Sequence, residues 1–237
     1  MDMTNVSTTQ ISAFLACQPV KAKTVLNYHV GLSALWTWAV KEEYVEKHII
    51  RLVEAPKPDE MVIQPFTEIE MRALFNGIRK EKERDRAVLL ILVDTGLRAS
   101  EFCSLTRKNI DMNAKQIKIM GKGRKERVIP FSSRTASALF RLFSTLPEDA
   151  PPFNFNRDSL LKHVKRIGKR AGVENCHPHR FRHTFATNFL RFGGSPFALQ
   201  EILGHSTMEM VRHYIKIANS DLDAAHRHAS PVENWKL

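Results

Sequence analysis

Apolar residues with helical spacing occupy most of this 237-residue chain, and they limit the fold more than any other feature. Their recurrence every three or four positions is typical of helices with one buried face. Only residues 115–120 and 127–131 depart from it: these two short apolar segments flank a glycine-containing loop and predict antiparallel strands. We therefore expect a mainly α (α+β) fold with a small antiparallel β-sheet. The predicted helices cover residues 24–47, 67–79, 84–93, 133–142, 158–171, 181–191, 197–203 and 208–217, with a shorter helix capped by Ser7 or Thr8 before them.

A charged segment with two prolines divides the chain. Residues 54–60 include Pro56 and Pro58 and lack apolar periodicity, which is typical of a linker. We expect a short helical N-terminal unit at 1–55, a linker at 56–65, an α-rich domain carrying the sheet at 66–218, and a C-terminal tail at 219–237.

The positive charge of the chain is concentrated after the linker. Lysine and arginine exceed aspartate and glutamate by 36 − 25 = 11, and the sequence pI is about 9.8. Residues 1–60 contain 6 basic and 7 acidic residues, so the remainder has a net charge of 30 − 18 = +12. A charge of this size favours a polyanionic partner, either nucleic acid or an anionic membrane surface.

Two features bear on location. The longest apolar run, residues 87–93, is far shorter than the ~20 residues that span a bilayer, and the N-terminus lacks the basic and apolar segments of a secretion signal. Cys17, Cys103 and Cys176 are too far apart in sequence to form a zinc or redox pair. We expect a cytoplasmic protein without membrane contact.

Two basic residues lie in turns that could present them to a phosphate. Arg98 follows Thr95-Gly-Leu between two predicted helices, and its planar guanidinium suits two phosphate oxygens. The alternative is a surface arginine that pairs with Glu101. Lys122 lies in the predicted hairpin loop, where it could donate a proton to a leaving alcohol or serve only as a solvated basic turn.

A histidine and arginine cluster begins at His177. His179 and Arg182 are three residues apart, so on a helix both would face one group. His179 and His183 have the i, i+4 spacing of zinc-binding helices, but the glutamate of such motifs and any nearby cluster of cysteines or carboxylates are missing.

A glycine turn and a tyrosine complete the candidates. His205 follows Gly204, and Tyr214 comes nine residues later. Met210, Val211 and Ile217 share helical spacing with Tyr214, so a core tyrosine is the alternative interpretation.

Taken together and in this order, the four motifs resemble the tyrosine recombinase (phage integrase) family. They are Thr-Gly-Leu-Arg-x-Ser-Glu, Gly-Lys-Gly-x-Lys, His-x-x-Arg-His-Thr-Phe-Ala-Thr, and Leu-Gly-His followed by the tyrosine. The resemblance covers about residues 60–220 and, more weakly, residues 7–55. It implies a helical core-binding (SAM-like) unit, here shortened, before the catalytic domain. Its catalytic set falls on Arg98, Lys122, His179, Arg182, His205 and Tyr214.

The resemblance implies a site-specific DNA recombinase (integrase) that needs neither metal nor ATP. In this family the tyrosine attacks a DNA phosphodiester, leaving a 3′-phosphotyrosine and a free 5′-hydroxyl. By residue type, Arg98 and Arg182 would neutralise the phosphate, and His179 would assist deprotonation of Tyr214. His205 would donate to a phosphate oxygen, and Lys122 would protonate the departing 5′-oxygen.

The expected partner is double-stranded DNA. The resemblance implies a tetramer on DNA, with the tail docking on a neighbouring protomer; because the N-terminal unit is short, an accessory protein could assist site recognition. A basic helix at 157–170 offers a phosphate-binding surface, with a merely solvated face as its alternative. The residues predicted to bind DNA are Arg124, Lys125, Lys162, Lys165, Arg166, Lys169 and Arg180.

Two other functions remain open from the sequence. A type IB topoisomerase uses similar chemistry but reseals the same strand. A noncatalytic protein that occupies recombination sites is favoured by the shortened N-terminal unit and opposed by the complete catalytic set.

Overall fold

The computed structural model describes residues 5–57, 63–78, 82–120, 126–148 and 150–218, together with residues 226, 230, 232 and 234. The chain divides into two compact units, Met1–Val62 and Ile63–Leu237. The C-terminal tail expected at 219–237 and the loop that carries Lys122, Arg124 and Lys125 therefore lie almost wholly outside the described residues.

The N-terminal unit is built on two helices. α1 covers Thr8–Ala16 and α2 covers Ala22–Lys41, and a 3₁₀ turn follows at Ile49–Leu52. Ser7 caps α1 through a reciprocal capping box with Gln10, which confirms the predicted start. The predicted helix at 24–47 is too long, because Glu43 adopts a positive φ of 59° and leaves the helical conformation. The unit has its own small core: Ile11, Leu15, Trp36, Ile50 and Val53.

The second unit is mainly helical, as the sequence predicts. Thr67 opens its first helix through the predicted capping box with Glu70. The helices are α3 at Glu68–Asn76, α4 at Glu83–Thr95, α5 at Ala99–Cys103, α6 at Ser133–Ser144, α7 at Arg157–Ala171, α8 at Pro178–Arg191, α9 at Pro196–Leu203 and α10 at Glu209–Ala218.

A small antiparallel sheet lies between α5 and α6. Its strands are β1 at Ile110–Asp111, β2 at Gln116–Met120 and β3 at Glu126–Pro130, in the order β1-β2-β3. Ile117 pairs with Ile129 and Met120 pairs with Glu126. The predicted antiparallel sheet is confirmed, and the structure adds β1, which is too short at two residues to show a sequence period.

The main core of the second unit surrounds α4, whose apolar side chains Val88, Leu89, Ile91 and Leu92 are fully buried. α4 packs against α6 and α8. A helix buried on most sides is a rigid support. The turn that follows it, which carries Arg98, is therefore held in place by the core.

A second cluster joins the last three helices. Ala186, Leu199, Leu203, Val211 and Tyr214 are buried together. α4 and α9 both end at glycines with left-handed backbone, Gly96 (φ 61°) and Gly204 (φ 62°). The two turns lie close together, because Arg182 on α8 donates hydrogen bonds to the Gly96 carbonyl oxygen and to the Leu203 carbonyl oxygen. Among the described residues, no helix is long and apolar enough to cross a membrane.

Candidate active site

Arg98 lies between the Gly96 turn and α5 and is fixed by three hydrogen bonds. Its backbone N donates to Glu101 Oε2 (2.8 Å) and its Nη1 donates to Glu101 Oε1 (3.0 Å). Its Nη2 donates to the Gly204 carbonyl oxygen across the site (3.3 Å). The side chain is still 40% exposed, so one side of the guanidinium can meet an approaching anion.

Glu101 connects Arg98 to a second arginine, which sequence reasoning missed as a site residue. Arg127 on β3 donates from Nη1 and Nη2 to the two Glu101 oxygens, at 3.0 and 2.9 Å. Its Nε donates to the Ile202 carbonyl oxygen (3.0 Å). Burial raises the pKa of Glu101, but the hydrogen bonds from Arg127 and Arg98 outweigh it and lower that pKa overall. The only sequence signal was an arginine placed inside a strand.

Arg182 is the buried cation of the site, with only 3% of its surface exposed. Its Nη1 donates to the Gly96 carbonyl oxygen (2.7 Å), and its Nη2 donates to the Leu203 carbonyl oxygen (2.9 Å) and to His205 Nε2 (2.9 Å). Burial, followed by repulsion from Arg98, lowers its pKa to about 10. Arg182 thus contacts both the turn after α4 and the turn after α9. With this pKa it remains charged near neutral pH.

His205 and Tyr214 face each other beside Arg182. Their rings are stacked at a centroid distance of 6.2 Å and an interplanar angle of 10°. Burial and then Arg182 lower the pKa of His205 to about 4, so this imidazole is neutral at pH 7. Burial raises the pKa of Tyr214, while the charge of Arg182 and a hydrogen bond with it act in the opposite direction.

His179 and His183 lie one turn apart on α8 and are hydrogen-bonded to each other. Their Nε2 atoms are 3.1 Å apart. His183 is buried and meets the Tyr214 ring edge-on at a centroid distance of 5.1 Å, while His179 is exposed. The described residues contain no group of three or more histidines, cysteines or acidic residues arranged to hold a metal ion.

These residues can be compared with known families. The model described as the phage integrase family matches residues 64–221 of this chain. The chain belongs to the phage integrase family. It is 32% identical over 212 residues to tyrosine recombinase XerC of Staphylococcus saprophyticus, a match that spans 82% of this chain and 70% of that protein. It is 31% identical over 238 residues to XerC of Staphylococcus epidermidis, spanning 92% and 79% of the two proteins.

Solved structures share the fold of this integrase-family protein. The Tn1549 transposon integrase, in complex with a circular intermediate DNA, has a TM-score of 0.78 and 21% identity, covering 95% of this chain and 85% of the other. The XerH site-specific recombinase bound to palindromic difH has a TM-score of 0.77 and 22% identity, covering 95% and 73%. The family and the curated relatives together make this protein a tyrosine-type site-specific recombinase.

The recombinase has an open cavity beside these groups. Its volume is about 1290 Å³, and β2, β3, α5, α9 and α10 contribute to its walls. Arg98, Glu101, Arg127 and His205 line it. A phosphate that enters this cavity would meet the exposed side of Arg98.

The predicted DNA-binding residues on α7 lie on different sides of that helix. Lys165 lines a cavity of about 930 Å³ together with His177 and His179, so it faces the site. Lys162 and Lys169 are exposed, and Lys162 lines a cavity on the flank of Arg166. Arg166 faces the other flank, where its Nη2 donates to His163 Nδ1 (2.9 Å).

Arg180 does not face a DNA surface, and its predicted role is corrected. The side chain is buried, stacks over the Phe66 ring and pairs with Glu70 at 2.8 Å. It also donates to the carbonyl oxygens of Gln64 and Glu174. Arg180 is one residue from His179 in sequence, but a helix turns by 100° per residue and directs it into the core.

Proposed function

We propose that this recombinase cleaves and rejoins double-stranded DNA through a covalent 3′-phosphotyrosine at Tyr214. The observation that carries the proposal is the placement of Tyr214 beside Arg182, His205 and His183 of the same chain. A nucleophile that already contacts the anion-binding groups needs little reorganisation before attack.

Arg98 and Arg182 would bind the nonbridging oxygens of the scissile phosphate. Phosphoryl transfer depends mainly on positioning and on neutralising the charge of the transition state. Arg182 is held by three acceptors and Arg98 by Glu101 and Gly204, so both cations are oriented before DNA binds. In the free protein His205 accepts from Arg182 at Nε2, and its Nδ1 is buried without a hydrogen-bond partner, so donation to a phosphate oxygen would require this ring to move when DNA binds.

The reaction forms a bond between Tyr214 Oη and phosphorus as the bond from phosphorus to the 5′-oxygen breaks. Tyr214 loses its proton, and the resemblance assigns this proton to His179. The departing 5′-oxygen takes a proton from Lys122. Attack by a 5′-hydroxyl reverses the step. Because the phosphotyrosine retains the energy of the broken bond, rejoining requires no ATP.

α7 would bind the DNA backbone next to the active site. Lys165 shares a cavity with His179, and Lys162 and Lys169 lie on the exposed side of the helix. An α-helix is about as wide as the ~12 Å major groove, so α7 can enter it and place these lysines beside phosphates. Arg124 and Lys125 in the hairpin loop are assigned to the same DNA surface by sequence.

The active assembly would be a tetramer on two DNA sites. Exchange of both strands of two duplexes requires four tyrosines, one from each protomer. We assign residues 1–55 to a short core-binding unit, 56–65 to a linker, 66–218 to the catalytic domain, and 219–237 to a tail that contacts a neighbouring protomer. An accessory protein would supplement site recognition.

The test uses a pool of nicked duplexes of varied sequence, in which the nick lets a short strand diffuse away and traps the cleaved intermediate. Denaturing gels then detect protein joined to DNA. Tyr44 is exposed in the N-terminal unit, so Tyr44→Phe is a matched control.

We expect adducts from the native protein and from Tyr44→Phe, and none from Tyr214→Phe. Adducts that persist in Tyr214→Phe would refute the assignment. Salt-sensitive DNA binding without any adduct would support a noncatalytic DNA-binding protein instead.

A further inference from the structure

The second unit has a groove that is separate from the cavities of the active site. Residues of α3, α4 and α6 line this groove, and its volume is about 730 Å³, a size typical of cavities that bind ligands. The cavities that contain Arg98, His179 and His205 are lined by residues from α5, α7, the start of α8, the strands β2 and β3, α9, α10 and the turns beside them. The groove between α3 and α6 therefore shares no wall with the catalytic residues.

This α3–α6 groove combines apolar side chains with a cluster of cations. Met71 and Phe75 on α3 and Leu90 on α4 line it, and all three are partly buried and pack against the main core. Among the described residues that line the groove, Glu68 is the one acidic side chain. The cations are four arginines from all three helices: Arg72, Arg86, Arg134 and Arg141.

Two of the four arginines have no partner of opposite charge. Arg72 pairs with Glu68, and Arg141 pairs with Glu83. In the part of the chain that the structure describes, the side chains of Arg86 and Arg134 form neither a hydrogen bond nor an ion pair. Arg86 is also half-buried, so part of its hydration has been lost without a carboxylate in exchange. Both guanidinium groups are therefore free to bind an anion supplied by a partner.

The residue types in the groove favour a protein partner over DNA. Protein interfaces are enriched in arginine, methionine and aromatic residues and depleted in lysine, and the α3–α6 groove follows this composition. The predicted DNA surface on α7 differs, because three of its cations are lysines: Lys162, Lys165 and Lys169. Binding to the DNA backbone depends mainly on charge and gains little from an apolar surface. An amphipathic helix matches both parts of the groove, since its apolar face covers Met71 and Phe75 while its carboxylates reach the arginines.

We propose that the α3–α6 groove binds an acidic amphipathic helix of an accessory protein, with Arg86 and Arg134 each holding one carboxylate. The proposal deepens the accessory-protein part of the proposed function and rests on it. A partner bound in this groove leaves the cavities of Arg98 and His179 open, so it can stay bound while DNA occupies the active site.

The test uses a synthetic acidic helix as the probe. The amphipathic peptide has about 20 residues, with leucines at positions i, i+3, i+4 and i+7, glutamates on both sides of them, and a fluorophore at one end. A shuffled peptide of the same composition has the same charge but no apolar face. Fluorescence anisotropy measures the affinity of each peptide for the full chain. We expect saturable binding of the amphipathic peptide and binding of the shuffled peptide that is weaker by roughly tenfold or more.

Variants of the groove locate the binding site. Arg86→Gln/Arg134→Gln should weaken binding of the amphipathic peptide by roughly tenfold or more, because two charge-assisted pairs are lost. The matched control is Arg51→Gln/Arg191→Gln, which removes the same charge from other exposed positions and should change the affinity by less than about threefold. Met71→Gln should weaken binding of the amphipathic peptide but not of the shuffled one. Thermal unfolding checks that each variant is folded.

A charge reversal gives a result that misfolding cannot imitate. Arg134→Glu should bind a peptide in which lysines replace the glutamates more tightly than the native protein binds it. A damaged fold would not create a new affinity of this kind. An Arg134→Glu protein that shows no gain for the lysine peptide would count against a carboxylate site at Arg134.

Three other outcomes would overturn the proposal. Equal weakening by the two double variants, or equal affinity for the two acidic peptides, would mean that net charge alone explains binding. If Arg86→Gln/Arg134→Gln reduces the salt dependence of duplex binding more than the control does, the groove is a DNA surface. If the native protein forms a dimer in sedimentation and this variant does not, the groove binds a second copy of the chain. Peptide binding does not require DNA cleavage, so a native protein without DNA adducts would refute the proposed function separately.

Discussion

Glu101 accepts hydrogen bonds from two arginines that come from different parts of the chain. Arg98 approaches from the turn after α4, and Arg127 approaches from β3. Arg127 also reaches the end of α9 through the Ile202 carbonyl oxygen. One carboxylate and one guanidinium therefore join the turn that carries Arg98, the strand that follows the Lys122 loop and the turn that carries His205.

Loss of this pair should cost more stability than loss of a surface pair. Arg127→Gln leaves the buried Glu101 charge half-paired, so we expect about 3 kcal/mol of destabilisation in urea unfolding. The control is Arg141→Gln, which breaks a more exposed pair with Glu83 and should cost less than ~1 kcal/mol. Equal effects would show that the Glu101 pair has no special structural role.

Buried neutral histidines should make the protein sensitive to mild acid. His183 and His205 have folded pKa values of about 4, below the ordinary histidine value of 6.5. The unfolded chain therefore binds more protons between these values, so stability is complete above about pH 6.5 and is lost as pH falls towards 4. Each histidine contributes on the order of 3 kcal/mol over that range.

Urea unfolding at a series of pH values measures this dependence. His205→Gln should flatten the curve, because an amide oxygen accepts from Arg182 without titrating. A stability that does not change between about pH 7 and 5 would contradict the assignment of neutral buried histidines.

At the scale of elements, the end of α9 is crowded, whereas the end of α7 is open. Gly204 and Gly172 both have positive φ, at 62° and 67°. A Cβ on Gly204 would lie 3.0 Å from Arg127 Nη1, whereas one on Gly172 would meet nothing within 4 Å. Two helix ends with the same backbone conformation therefore differ in their surroundings.

This difference permits a controlled substitution. Gly172→Ala should cost about 1 kcal/mol, the strain of a left-handed alanine. Gly204→Ala should cost more, because it also displaces Arg127, and it should reduce adduct formation by moving His205. Thermal unfolding measures the loss of stability in each variant. Equal decreases in Tm would show that the crowding around Gly204 does not affect stability.

α7 provides the second prediction at this scale. If its exposed lysines contact phosphates, Lys162→Gln/Lys165→Gln should reduce the slope of log binding constant against log salt by about 2, roughly 0.9 for each contact. Arg72→Gln/Arg134→Gln removes the same charge from other exposed positions. The measurement is fluorescence anisotropy with duplex DNA at several salt concentrations, and an equal reduction in both variants would mean that net charge alone is responsible.

At the scale of the whole molecule, the two compact units have separate cores of different size. Among the residues that the structure describes, the N-terminal core contains five buried residues, while the core around α4 contains many more. Smaller cores bury less surface and support less stability. The N-terminal unit should therefore unfold first.

Tryptophan fluorescence can separate the two transitions. Trp36 and Trp38 lie in the N-terminal unit, and the third tryptophan of the chain is Trp235. In a Trp235→Phe background, the fluorescence midpoint in urea should fall below the midpoint of far-ultraviolet circular dichroism, which reports all helices. Coincident midpoints would show one cooperative unit.

Much of the fold followed from local patterns in the chain. Apolar periodicity located the strands β2 and β3 and the helices apart from the short α5, and the Ser7 and Thr67 caps and the Gly96 turn mark helix ends as expected. These features depend on residues within a few positions of one another, so a linear sequence can encode them. The order of four motifs also indicated the family.

Contacts between residues that are far apart in the sequence determined the features of the site that local patterns did not predict. Arg180 and Arg182 are both arginines on α8, yet the first is bound in the core by Glu70 and the second contacts Gly96 and His205. Arg127, Glu101 and His183 became part of the site only because β3, α5, α8 and α10 meet there. Residue type and spacing specify which chemistry a side chain can perform, but its partners and burial, and so its charge state and proton position, depend on neighbours brought together by folding.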